Sequence, residues 1–334
     1  MKYISFCFVL LISSYQLFAQ KITKQNINQL QKAEAAIKGF GNAMITEEEW
    51  FDRFQADSFF TRGLVQALKI NNSFYYPFDS LETISKLYAP DTSFRIFTWQ
   101  VIRDFEYNRQ RGAIQMRTTD GSLKIFPLFD YSDFAKNPND SIRDNQHWIG
   151  AIYYKVLLNT FNEKKIYTLL GYDDNTARSN KKWIEVLTFN KEGKPQFGGR
   201  YFQYQNDSIK PAQPAFRFNL EYKKDAKARL NYDEEAGLIM FDHLISESDD
   251  TRNKYTLIPD GTYEAFRWLN GKWVHTILKN LDLGIGKFPI EDPLYDADGN
   301  VNQKKLDEQS KKNKEKEKVP GKSTDEKKKK PTSQ

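Results

Sequence analysis

Apolar residues in much of this chain recur at every second position, and short turn-forming segments separate the runs. Phe94, Ile96 and Thr98 alternate with Arg95, Phe97 and Trp99. Phe216, Phe218, Leu220 and Tyr222 alternate with Arg217, Asn219, Glu221 and Lys223. Lys272, Val274, Thr276 and Leu278 alternate with Trp273, His275, Ile277 and Lys279. Successive side chains of a strand point to opposite faces, so the pattern reads as strands with one buried face and one wetter face. Asp120-Gly121 and Asn270-Gly271 favour the type I′ hairpin, in which both central residues need positive φ. Asn190–Gly193 and Asp233–Gly237 read as slightly longer hairpin loops. About a dozen strands fit between 74 and 280, nearly all joined this way, which argues for an antiparallel meander and against a βαβ fold. So many strands rarely stay flat and open. The expected body is mainly β: a large antiparallel meander forming one curved sheet or a barrel-like body. A propeller-like arrangement is the alternative, although the clean repeat that normally marks a propeller is missing. Residues 131–147 form the longest polar interruption and read as an excursion loop.

Residues 24–70 are patterned as helix. Gln25 to Lys38 is rich in Gln, Ala, Lys and Leu, and Gly39 and Gly41 are expected to end it. Thr46 with Glu49 matches a capping box opening a second helix. Trp50, Phe54, Phe60, Leu64 and Leu68 fall at roughly helical spacing and read as a face docked on the β body.

The two ends differ from this middle. Lys2, the apolar run Tyr3 to Ile12 and the small residue Ala19 compose a signal peptide over 1–19, with cleavage expected before Gln20. The apolar run is shorter than the ~20 residues that cross a bilayer, and no later segment is apolar enough to do so. The single cysteine, Cys7, lies inside this segment, so the mature chain is expected to carry no disulfide and no lipid anchor. From 303 to 334 the chain is lysine-rich and nearly free of apolar residues, the composition of a disordered tail. That tail holds 12 Lys and 6 acids, a net of +6, and the whole chain is also +6, so residues 1–302 are neutral overall. The basic character belongs to the tail and not to a groove in the fold, which removes the charge argument for nucleic acid. The tail suits contact with anionic surfaces. The expected organisation is thus a signal peptide over 1–19, a helical segment over 20–73, an antiparallel β domain over 74–302 and the tail over 303–334.

Phe94-Arg-Ile-Phe-Thr-Trp99, Leu169-Leu-Gly-Tyr172, Phe197-Gly-Gly199, Phe241-Asp-His-Leu244 and Pro259-Asp-Gly-Thr-Tyr263 together resemble a group of uncharacterised exported β-rich proteins of Bacteroidota. The likeness covers most of 70–280. It implies export and brings no activity with it. The tail does not resemble the folded β-module of a secretion-system sorting domain, which favours the periplasm over the cell exterior.

Chemistry-bearing residues are few. The histidines are His147, His243 and His275, and no two stand at metal-ligand spacing, so no metal and no cofactor is expected. Asp242-His243 is the candidate catalytic pair. Adjacent strand residues point to opposite faces, however, so the two are not expected to bond each other. Ser246 and Ser248 lie near but outside any nucleophile elbow. Asp296–Asn300 and Asp173–Asn175 read as polar turns, because the former lacks the glutamate that completes a calcium loop. Gly198-Gly199 lacks the lysine of a phosphate loop. Trp99, Trp148 and Trp183 are candidate ligand-stacking residues, weighed against a role in the core. The resulting expectation is a non-catalytic envelope protein that binds a protein partner, a glycan or the cell-wall matrix. The alternative is a hydrolase of an envelope or imported polymer, using carboxylates from different strands.

Overall fold

The computed structural model describes residues 22–204, 216–248 and 250–277. The expected signal peptide, the Asp296–Asn300 turn and the lysine-rich tail lie outside these residues. Two compact units divide the chain, one formed by Met1–Phe202 with Lys210–Leu220 and the other by Gln203–Ile209 with Glu221–Gln334.

Two helices come first, α1 (Lys24–Thr46) and α2 (Trp50–Leu68). They are followed by β1 (Ser85–Tyr88), β2 (Phe94–Ile102), β3 (Asn108–Met116), β4 (Lys124–Phe129), β5 (Ile152–Phe161), β6 (Lys164–Asp173) and β7 (Ser179–Phe189). The remaining strands are β8 (Pro195–Phe197), β9 (Phe202–Gln203), β10 (Arg217–Lys223), β11 (Leu230–Asp233), β12 (Leu238–Ser246), β13 (Leu257–Leu269) and β14 (Lys272–Ile277). They form three open sheets: β1-β2-β3-β4; β10-β7-β6-β5 with β8 also on β7; and β11-β12-β13-β14-β9. Sequence neighbours pair antiparallel throughout the first sheet, along β5-β6-β7-β8 and along β11-β12-β13-β14, as a meander requires. Among the described residues the sheets do not close into a barrel.

In the first unit, β2 explains the layering. Phe94 and Ile96 pack with Ile114 and Leu128 against Tyr153, Tyr167, Leu169, Trp183 and Leu187 of the second sheet. Phe97, Trp99 and Val101, on the opposite face, pack on Leu30, Ile37 and Met44 of α1 and Phe60, Leu64 and Leu68 of α2. The unit therefore has three layers: helices, sheet, sheet. Alternation along β2 is real, but its second face is not wet, because the helices cover it. Full burial of each such side chain contributes roughly 1.5–3 kcal/mol.

Several local expectations fail for identifiable reasons. Helix α1 runs through Gly39 and Gly41 and ends at Thr46. A Cβ at Gly41 would stand 3.0 Å from Thr83 Oγ1 and 3.3 Å from Phe60, so this glycine permits close packing instead of ending a helix. Thr46 is the last residue of α1, its hydroxyl donating to Asn42 O at 3.2 Å, and α2 begins after Glu49 without a side-chain cap. Asn270-Gly271 does form the tight turn between β13 and β14, with φ of 49° and 79°. Asp120-Gly121 instead sits in a longer loop, with positive φ at Gly121 and the Asp120 carboxylate accepting from Ser122 N at 3.1 Å.

The excursion loop between β4 and β5 is fastened by a buried charge. Arg217, fully buried, donates from one amino group to Pro138 O and Ser141 O, both at 2.6 Å, and from the other to Phe197 O at 2.9 Å. Its Nε donates to Glu185, whose other oxygen accepts from the Tyr153 hydroxyl, and that hydroxyl accepts from Trp148 Nε1 at 2.8 Å. Gly198, at φ 88°, lets the backbone lie against the guanidinium, where a Cβ would sit 3.0 Å from its carbon. The Gly198-Gly199 pair thus makes room for an arginine.

Candidate functional site

The tryptophan candidates are core residues. Trp99, Trp148 and Trp183 are 3%, 0% and 4% exposed, so none presents a ring face to a ligand at the surface. Trp99 Nε1 donates at 2.8 Å to Asp57, a fully buried carboxylate on α2 that also accepts from Arg111 Nε at 2.9 Å. This ties the helix layer to the first sheet.

The histidine candidate lies in the second unit, in a cluster that sequence reasoning missed. The register of β12 on β13 passes from Asp242 opposite Tyr263 to Leu244 opposite Pro259, leaving three residues of β13 against His243 alone. Such a bulge re-aims side chains. Gly261 takes φ 89°, and Asp260 Oδ1 accepts from Thr262 N and Oγ1, both at 2.8 Å. The other Asp260 oxygen is then 2.9 Å from His243 Nδ1. His243 Nε2 stands 3.8 Å from one oxygen of Glu264, and the second Glu264 oxygen is hydrogen-bonded to His275 Nε2. The Tyr204 ring lies tilted over His275 at 5.5 Å. Burial opposes ionisation of Asp260, but hydrogen bonds from His243 and Thr262 outweigh it and hold the carboxyl at about 2. Asp242 accepts from Arg229 N at 2.6 Å. Ser246 Oγ pairs with Thr256 Oγ1 at 2.9 Å and with Ser248 Oγ at 3.2 Å, both outside this cluster. Carboxylates and imidazoles thus alternate across β12, β13 and β14, with a carboxylate facing each nitrogen of His243. The arrangement ties three strands together. Among the described residues no group of three or more His, Cys, Asp or Glu is placed to hold a metal ion.

A second candidate lies in the first unit, where the α1–α2 loop meets the β2–β3 loop. A cleft of about 580 Å³ opens there, lined by Met44, Ile45, Ile102, Phe105 and Ile152, with Glu48, Arg53, Arg103 and Asp104 among its polar residues. Arg53 holds both loops in place. Its Nε donates to Ile102 O at 2.7 Å, its amino groups to Glu47 O and Glu48 O at 2.7 Å and to Arg103 O at 3.0 Å. With its guanidinium engaged, two apolar side chains of the lining are presented outward: Phe105 is 86% exposed and Ile45 58%. Trp50, also exposed, carries the Arg103 guanidinium 5.2 Å above its ring. The signal available in the sequence was Ile45-Thr-Glu-Glu-Glu-Trp50 and Ile102-Arg-Asp-Phe-Glu-Tyr107, large apolar residues set among charges.

Compared with protein-family models, with curated proteins and with solved structures, the chain matches none of them.

Proposed function

We propose that this chain is a non-catalytic exported protein of the cell envelope, most simply periplasmic, that binds a segment of another polypeptide in the cleft between the α1–α2 and β2–β3 loops. The observation that carries this reading is the exposure of Phe105 and Ile45 in the lining of a preformed concavity whose walls are pinned by Arg53. Exposed large apolar side chains in a concave site mark interaction surfaces. A polypeptide fits better than a glycan, because the apolar part of the lining is mainly aliphatic (Met44, Ile45, Ile102, Ile152, beside Phe105), whereas sugars favour flat aromatic faces. The hydrolase alternative calls on carboxylates poised for substrate, but Asp260 and Glu264 are engaged by imidazoles.

A photo-crosslinking amino acid at position 105, in cells producing the protein, should yield a discrete polypeptide adduct that Ile102→Ser in the same chain removes. The same probe at position 142, where Ile142 is 53% exposed on another loop, should not yield it. Indistinguishable adducts from the two positions would overturn the reading.

A further inference from the structure

The cleft's surroundings select a charge. Residues 45–50 and 102–107, the two loops that frame it, carry Glu47, Glu48, Glu49, Asp104 and Glu106 against Arg103, and with Arg53 in the cleft wall the net is −3; Glu48 and Asp104 line the cleft itself. All five acids are exposed. Arg53, the other arginine at the cleft, directs its donors to backbone carbonyls on both loops. Arg103 has its guanidinium over the Trp50 and Tyr107 rings, at 5.2 and 5.9 Å, and its Nε 3.8 Å from Asp104, so among the described residues the free acids of the rim are chiefly Glu47, Glu48, Glu49 and Glu106. An apolar concavity with low-dielectric walls and an acidic rim concentrates field lines and favours a cationic ligand.

We infer that the occupant of the cleft is a cationic apolar segment of a partner polypeptide, with aliphatic or aromatic anchors flanked by Lys or Arg. The inference rests on the binding reading above and adds the partner's chemistry to it. The anchors fill the space between Ile45, Ile102 and Phe105, while the flanking cations meet Glu47, Glu48 and Glu49 on one loop and Asp104 and Glu106 on the other. The rim acids supply selection and rate of encounter, and the apolar lining supplies retention.

The test uses the full chain and three fluorescein-labelled peptides of equal length, read by anisotropy. One carries Leu and Trp anchors between lysines, its twin has glutamates in place of the lysines, and a third is lysine-rich without anchors. The cationic anchored peptide should bind at least about tenfold more tightly than its acidic twin at low salt, and the gap should shrink at high salt, where the Debye length falls to a few ångströms. Glu47→Lys, Glu48→Lys and Asp104→Lys together should reverse the preference. Phe105→Ser with Ile102→Ser should weaken both anchored peptides without changing the circular dichroism or the melting temperature, since both side chains are exposed. Equal binding of the twins, still lost in the Phe105 variant, would overturn the charge inference and leave the binding reading standing. Preference for the peptide without anchors would overturn the inference in favour of a lysine-rich segment such as 303–334 of this chain. Self-association that depends on Phe105, with no peptide bound, would overturn it in favour of a second copy. Failure of every peptide to bind in a Phe105-dependent way, with the protein monomeric, would overturn both readings.

Discussion

Arg217 and Arg95 occupy positions that strand alternation assigns to the wetter face, yet both are fully buried. What reverses the assignment is chemistry supplied from distant parts of the chain. Arg217 meets Glu185 and three backbone carbonyls. Among the described residues Arg95 has no carboxylate partner; it donates to Tyr76 O at 2.6 Å, Ser73 O at 2.8 Å, Gln115 Oε1 at 2.8 Å and Tyr88 Oη at 3.0 Å, with the Phe97 ring 4.6 Å away. Burial lowers its pKa to about 10, so it remains a cation at neutral pH. Nothing in the spacing of apolar residues announces such partners. Glu185→Ala should strand the Arg217 guanidinium and lower stability by about 3–5 kcal/mol. Glu185→Gln should lose less, because its amide oxygen can still accept; both are measured by urea unfolding. A loss below about 1 kcal/mol for the alanine variant would show that the pair is dispensable. His243 was legible as a residue of interest, but its partners were not, because a bulge in a strand pairing brings Asp260 to it. Asp260 ionises at about 2 in the fold against 3.8 ordinarily, so between those values the unfolded chain binds more protons. The stability Asp260 contributes is therefore complete above about pH 4 and is lost as pH falls toward 2. The melting-temperature gap between wild type and Asp260→Asn should close across that window; a gap that stays constant would show that the carboxylate is not stabilised by its ionisation.

At the level of elements, the helices and most strands were readable because period and turn chemistry are local. Phe60, Leu64 and Leu68 share a helix face in sequence and lie buried in the structure. Glycine was misread because its role depends on what lies across from it. Gly39 has nothing within 4 Å of where its Cβ would be, whereas a Cβ at Gly63 would fall 2.3 Å from Ile37 Cγ2 on the facing helix. The two therefore separate propensity from packing. Gly39→Ala should stabilise the first unit by about 0.5–1 kcal/mol, the usual gain inside a helix. Gly63→Ala should destabilise it by about 1–3 kcal/mol, because the α1–α2 approach must widen. Thermal melts of the two variants should move in opposite directions, and movement of both upward would show that the helix pair has slack. The missed tight turn makes the same point: Asn162-Glu163 joins β5 to β6 with φ of 47° and 63°, and no glycine marks it.

Across the whole molecule, charge is partitioned more sharply than composition suggests. The chain's +6 equals the net charge of residues 303–334, so residues 1–302 balance to zero. The acidic rim of the cleft is offset by cations elsewhere on the body, and a neutral average conceals a local preference for positive ligands. Attraction to anionic polymers or lipid should depend on the lysine-rich segment, falling steeply with salt as exposed charges are screened. A chain ending at residue 302 should lose retention on a sulfated-polysaccharide column, while peptide binding at the cleft is unchanged or tightened by removal of twelve competing lysines. Its melting temperature should match that of the full chain, since a segment with so few apolar residues has little to bury. A melting temperature several degrees lower would mean that the segment contributes packing after all. Retention that survives truncation would place the anion-binding charge on the folded body, against the balance read from its residues.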